Sequence, residues 1–141
     1  MGCGRPRDDR SGVGGPGVVG IGREAPALGP RRGDIHFIAF PDACGHVLRG
    51  PHPAVVVQAE RLRRSTTVIV VPMTSAVRSA AELPPYLVGV KAKESGLDRD
   101  GFVKVDQPAT LPVAALGPRA GRLVPALIDR LDASLRFVLD L

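Results

Sequence analysis

Three histidines stand in this 141-residue chain, at positions 36, 46 and 52, and imidazole is the side chain that titrates near neutral pH. His52 has the most constrained setting. It lies between Pro51 and Pro53 in "RGPHPAVVVQ", at the start of an apolar run. An imidazole there can take up or release a proton. Thr74 and Ser75 follow a second run, "VIVVPM", and their hydroxyls can hydrogen-bond a developing oxyanion or a phosphate. Asp106 and Gln107 close a later strand-like run. Arg49, Arg78, Lys91 and Lys93 offer contacts to phosphate. Together these groups suit RNA cleavage through the 2′-hydroxyl, a reaction that needs a base, an acid and charge stabilisation but no metal. A plainer reading stands beside it. His52 is then a solvent-facing turn residue, and the two hydroxyls merely satisfy backbone groups beyond a strand.

Other chemistries lack their signatures. The histidines are scattered, with no HxxxH or DxD spacing, so no metal site is expected. Cys3 and Cys44 show neither CxxC spacing nor a histidine partner. No P-loop and no GxSxG elbow is present, and the glycines at 12, 14 and 17 are attached to no strand or helix. No cofactor is expected.

Positioning these residues falls to a series of short strands. Asp34 to Phe40, "DIHFIAF", is rich in β-formers and is followed by a Pro-Asp turn. Ala54 to Gln58 and Thr66 to Met73 read as strands, the latter apolar enough to be buried on both faces. Tyr86 to Val90 reads as another, and Gly101 to Gln107 alternates with the period of a half-buried strand. A short strand is expected around Ala114 to Gly117. The end of the chain differs: Leu127, Ile128, Leu131, Leu135, Val138 and Leu139 fall on one stripe of a helix, and Pro125 suits its first turn. Five or six strands followed by one amphipathic helix indicate a mainly β, α+β domain, a small barrel with the helix across an open end or face.

Composition agrees. With 44% hydrophobic but only 4% aromatic residues and no Trp, the core must be built from Val, Leu, Ile and Ala. The formal net charge of +5 fits a polyanionic partner and equally fits ordinary surface charge. Residues 1–30 hold nine of the 17 glycines and four prolines, too little apolar surface to offset ordering entropy. They are expected to form a disordered tail ahead of a domain over 31–141. No stretch approaches a membrane span or a signal peptide, and the sparse cysteines suit a reducing, cytoplasmic setting.

In order and spacing, "RRGDIHFIAF", "GPHPAVVVQ", "VIVVPMTSAV" and "LDRDGFVKVDQPATL" resemble the MazF/PemK toxin family. The resemblance covers about Arg31 to Leu141. It implies an SH3-like (CcdB/PemK-like) barrel of five to seven strands with a C-terminal helix, working as a homodimer. It also implies a metal-independent, sequence-specific endoribonuclease that cuts single-stranded RNA to 2′,3′-cyclic phosphate and 5′-hydroxyl ends. A MazE-like antitoxin would block the groove with an acidic segment. Carried over position by position, Thr74 and Ser75 match the family's hydroxyl pair near the scissile phosphate. Asp106-Gln107 matches a groove-shaping pair, with Gln107 facing RNA, and Gly33-Asp34 matches a turn and strand cap. Two positions depart. His52 stands where most members carry Arg, and Val47 replaces a Glu found in several. One consequence is an altered but active site, in which imidazole shuttles the proton and Arg49 supplies the fixed charge. The other is a weakened or inactive module that only binds RNA or antitoxin, because imidazole lacks the forked donors of guanidinium. The same barrel serves CcdB-like gyrase poisons, but the Thr-Ser and Asp-Gln motifs favour the ribonuclease branch.

Overall fold

The structure is a computed structural model that describes residues 28–41, 45, 50–75 and 82–141. The expectations placed on residues 1–27, on Cys44, His46, Val47 and Arg49, and on Arg78 lie outside those residues. Gly29 N–H donates to the Arg63 carbonyl at 2.7 Å, and Arg63 Nε–H returns a bond to the Gly29 carbonyl at 3.0 Å.

Seven strands form one curled antiparallel sheet: β1 (Asp34–Phe40), β2 (Gly50–Val56), β3 (Thr67–Thr74), β4 (Leu87–Val90), β5 (Gly101–Lys104), β6 (Ala109–Pro112) and β7 (Arg119–Arg122). The order is β4-β5-β3-β2-β1-β7, with β6 also on β3. The one α-helix among the described residues, α1 (Pro125–Leu139), follows and packs against β4. Among the described residues no helix is long and apolar enough to cross a membrane.

Alternation along the strands builds two cores on opposite sides of the sheet. Ile35, Val55, Val71, Met73, Val103 and Val105 meet Leu127 and Leu131 of the helix on one side. Ile38, Phe40, Ala54, Val56, Val68 and Val70 form the other. β3 supplies both, with Val70 and Val71 each fully buried, although Ile69 is exposed. The helix buries Leu127, Leu131 and Ser134, and the Ser134 hydroxyl donates to the Pro85 carbonyl at 2.6 Å. Leu139, expected on the apolar stripe, is exposed.

Three expected strands change. β2 begins four residues earlier than its apolar run, because Gly50 to Pro53 pair in continuous register with Phe40 to Phe37. His52 therefore stands inside a strand, and Gln58 lies beyond it. β5 ends at Lys104, so Asp106 and Gln107 sit past the strand in a turn closed by Gln107 N–H to the Lys104 carbonyl at 3.2 Å. The strand expected over Ala114 to Gly117 is a 3-10 turn, Val113–Ala115, closed by Leu116 N–H on the Val113 carbonyl. Pro112 and Pro118 bracket it and donate no ladder hydrogen bond, and β6 and β7 form on either side.

Candidate active site

The prolines flanking His52 shape the site. Val57 N–H donates to the Ile69 carbonyl of β3's strand. Phe37, opposite Pro53, exchanges its hydrogen bonds with the Gly117–Pro118 segment rather than with β2. Hydrogen-bonding direction alternates along a strand, so the odd-numbered residues of β2 face β3. Pro51 and Pro53 are two of these, and neither has an N–H to give. The β2–β3 ladder accordingly runs through Val56↔Val70, Val55↔Val71 and Ala54↔Pro72 and then stops.

Beyond that point a cavity of about 540 Å³ opens, lined by Phe37, Pro51, His52, Pro53, Met73, Thr74, Ser75 and the segment Gly96–Gly101, with Ala120 at its edge. The volume is that of a small-ligand site. Carrying the β2–β3 register on by two residues sets His52 across from Thr74, on one pleat face at the point where the strands part. The His52 ring lies 6.4 Å from that of Phe40, tilted by 56°, which places it on the face of Phe40 and Ala54. Phe37, Pro53 and Met73 belong to the alternate face and give the cavity apolar walls. Phe37 is 47% exposed.

The opposite wall is a bound turn. Gly96 N–H donates to the Ala92 carbonyl at 2.9 Å, Leu97 N–H to Ser95 Oγ at 3.1 Å, and Ala92 N–H to Asp100 Oδ1 at 2.8 Å. Ser95 is buried, and its carbonyl accepts Arg122 N–H of β7 at 2.9 Å. Gly121 makes this contact feasible, since a Cβ there would overlap the Ser95 carbonyl oxygen. At its far end the turn enters β5, which pairs Phe102 with Thr74. Gly101 permits that approach: a Cβ would lie 3.2 Å from the Thr74 carbonyl oxygen.

Of the residues singled out from the sequence, His52, Thr74 and Ser75 share the cavity. Lys91, Lys93 and Gln107 do not line it. Lys91 heads a 3-10 turn, with its N–H on Glu94 Oε1 at 3.1 Å, and Lys93 is exposed within that turn. Phe37, Asp98, Arg99 and Asp100 were not anticipated. The last three stand in "LDRDGF", a stretch whose position beside Thr74 depends on a pairing across nearly thirty residues.

Asp34 has a structural role. It accepts from Arg31 N–H at 2.9 Å and from Arg122 Nη1 at 2.9 Å, with Arg119 Nε at 3.4 Å. Burial pushes its pKa up. The Arg31 and Arg122 hydrogen bonds and the Arg119 and Arg122 charges outweigh that, and hold the carboxyl below its ordinary value. The group ties β1 to β7 and is not among the residues that line the cavity. Among the described residues, no cluster of three or more His, Cys, Asp or Glu is placed to hold a metal ion.

Residues 31–139 match the family model of the PemK-like, MazF-like toxin of type II toxin-antitoxin systems. The chain belongs to this family. Endoribonuclease EndoA of Bacillus subtilis is 30% identical over 112 residues, which cover 79% of this chain and 95% of EndoA. Among solved structures, an endoribonuclease in complex with its cognate antitoxin from a mycobacterial species matches with a TM-score of 0.62 at 24% identity, over 79% of this chain and 96% of that one. MazF from Deinococcus radiodurans matches with a TM-score of 0.67 at 19% identity, over 82% and 100% respectively. The seven-stranded curled sheet with its C-terminal helix is thus the MazF-type fold, and the parting of β2 and β3 at His52 and Thr74 lies within the matched region.

Proposed function

We propose that this chain is a toxin endoribonuclease that cuts single-stranded RNA at the cleft where β2 and β3 part. What supports this is the register: carried two residues past Ala54↔Pro72, it sets His52 across from Thr74, twenty-two residues further along the chain, and both line a cavity together with the apolar Phe37, Pro53 and Met73. A proton acceptor and a hydroxyl donor across a cleft are what transfer within an RNA strand requires.

In this reading neutral His52 takes the proton of a 2′-hydroxyl as that oxygen bonds to phosphorus. The bond from phosphorus to the 5′-oxygen breaks, solvent protonates the departing oxygen, and the imidazolium returns its proton to solvent. The products are a 2′,3′-cyclic phosphate and a 5′-hydroxyl. Thr74 and Ser75 donate hydrogen bonds to the non-bridging oxygens as charge gathers there. Phe37 offers a partly exposed ring for base stacking beside the cut. The formal net charge of +5 draws in the RNA. The relatives named as endoribonucleases support the activity, and a relative's complex with its antitoxin supports control by an antitoxin of MazE type. The protein is expected to work as a homodimer in the cytoplasm, without a metal.

Incubating the purified chain with a defined RNA in EDTA and mapping the product ends tests this. Discrete 5′-hydroxyl ends are expected. Intact RNA under conditions in which EndoA cuts would overturn the proposal, and retained, salt-sensitive RNA binding would then mark a binding module.

A further inference from the structure

We propose that Arg99 supplies the fixed positive charge of the site, bearing on the scissile phosphate from the wall opposite His52. This rests on the endoribonuclease reading above. Cleavage at phosphorus spreads negative charge over the non-bridging oxygens, and neither imidazole nor hydroxyl carries a permanent positive charge to meet it. Arg99 is the one cationic side chain among the described residues lining the cavity. It is exposed and has no hydrogen bond or ion pair among the described residues, so its guanidinium is available to a ligand.

The backbone that carries it is held on both sides. Asp100 Oδ1 accepts Ala92 N–H at 2.8 Å, and Leu97 N–H donates to Ser95 Oγ at 3.1 Å. Two residues on, Gly101 rests against the Thr74 carbonyl, and Phe102 pairs with Thr74. The cation therefore stands on a turn fixed to the strand that carries the Thr74 hydroxyl, and little ordering entropy is lost when it engages phosphate. Guanidinium presents a planar fork to two phosphate oxygens and stays charged across the working pH range. Imidazole at position 52 can then serve proton transfer alone, with the charge supplied from β5's side of the cleft.

The test compares the full chain with Arg99→Ala and Arg99→Lys in steady-state cleavage of a defined RNA, and in binding to the all-2′-deoxy oligonucleotide, which cannot be cut. Both substitutions are exposed, and thermal melting is expected to match the parent. For Arg99→Ala, kcat is expected to fall about 100-fold or more with KM changed far less, and Arg99→Lys is expected to recover part of that loss. A kcat within about threefold of the parent would overturn the proposal. Should the parent chain itself not cut, the endoribonuclease reading fails, and Arg99 is judged on binding. A salt slope lower by about one ion in Arg99→Ala upholds the phosphate contact, and an unchanged slope overturns it.

Discussion

At His52, substitution separates proton transfer from charge. His52→Ala is expected to lower cleavage by roughly 10²–10⁴-fold, the usual worth of a positioned acid or base. His52→Arg keeps a donor but removes the proton acceptor, so it is expected to lose cleavage as His52→Ala does. Undiminished cleavage in either variant would assign the base elsewhere. Across the cleft, Thr74→Val preserves shape and deletes the hydroxyl, and a loss of about 10²-fold in kcat is expected. His52, Thr74 and Ser75 were visible in the sequence because each borders an apolar run, His52 ahead of one and Thr74 and Ser75 behind another. The function of the prolines was not. Only the hydrogen-bonding direction of β2 shows that Pro51 and Pro53 withhold their missing N–H groups from β3, and that the cleft opens for that reason.

Elements hold the two walls of the cleft in place, and the contact between the Ala92–Gly96 turn and β7 is the narrowest point. Gly121→Ala drives a methyl into the Ser95 carbonyl. The turn must shift, at a cost of about 1–3 kcal/mol by analogy with overpacked cores. Urea midpoints measure that cost. Because the same turn carries Arg99, cleavage in the variant should fall even at temperatures where it remains folded. Full activity in a destabilised Gly121→Ala protein would show that the turn's position is immaterial to chemistry. β1 was readable from its β-formers and α1 from its 3.6-residue stripe, and both run where the pattern places them. Local pattern failed where partners decide. Gly50 to Pro53 look like a loop and are a strand because β1 pairs with them. Ala114 and Ala115 look like a strand and form a 3-10 turn, held by Val113 N–H on the Thr66 carbonyl.

For the molecule as a whole, the closure of β7 onto β1 depends on one buried carboxylate with arginines around it. Asp34 is nearly inaccessible, and its folded pKa lies below the ordinary carboxylate value. A carboxyl with a depressed folded pKa stabilises the native state above the unfolded pKa of about 3.9. That contribution is lost as pH falls through the lower folded value. Arg122 at 2.9 Å should carry most of it, since Arg119 is more than half exposed and solvent screens its charge. Asp34→Asn keeps the shape and removes the charge, so it should cost about 1.5–3 kcal/mol at neutral pH, the range for hydrogen bonds to charged groups. Arg32 Nη2, 2.6 Å from Asp132 Oδ1 on α1, joins the same end of β1 to the helix and should be left in place by that change. Urea unfolding of parent and variant from pH 7 down to pH 2 therefore has a definite expected form. The two stabilities differ at neutral pH and converge in acid, the convergence setting in as pH falls through the unfolded pKa and finishing below the lower folded value. A gap that stays constant down to pH 2 would mean that the asparagine disturbs packing rather than charge, and that β7 is closed by its backbone ladder alone.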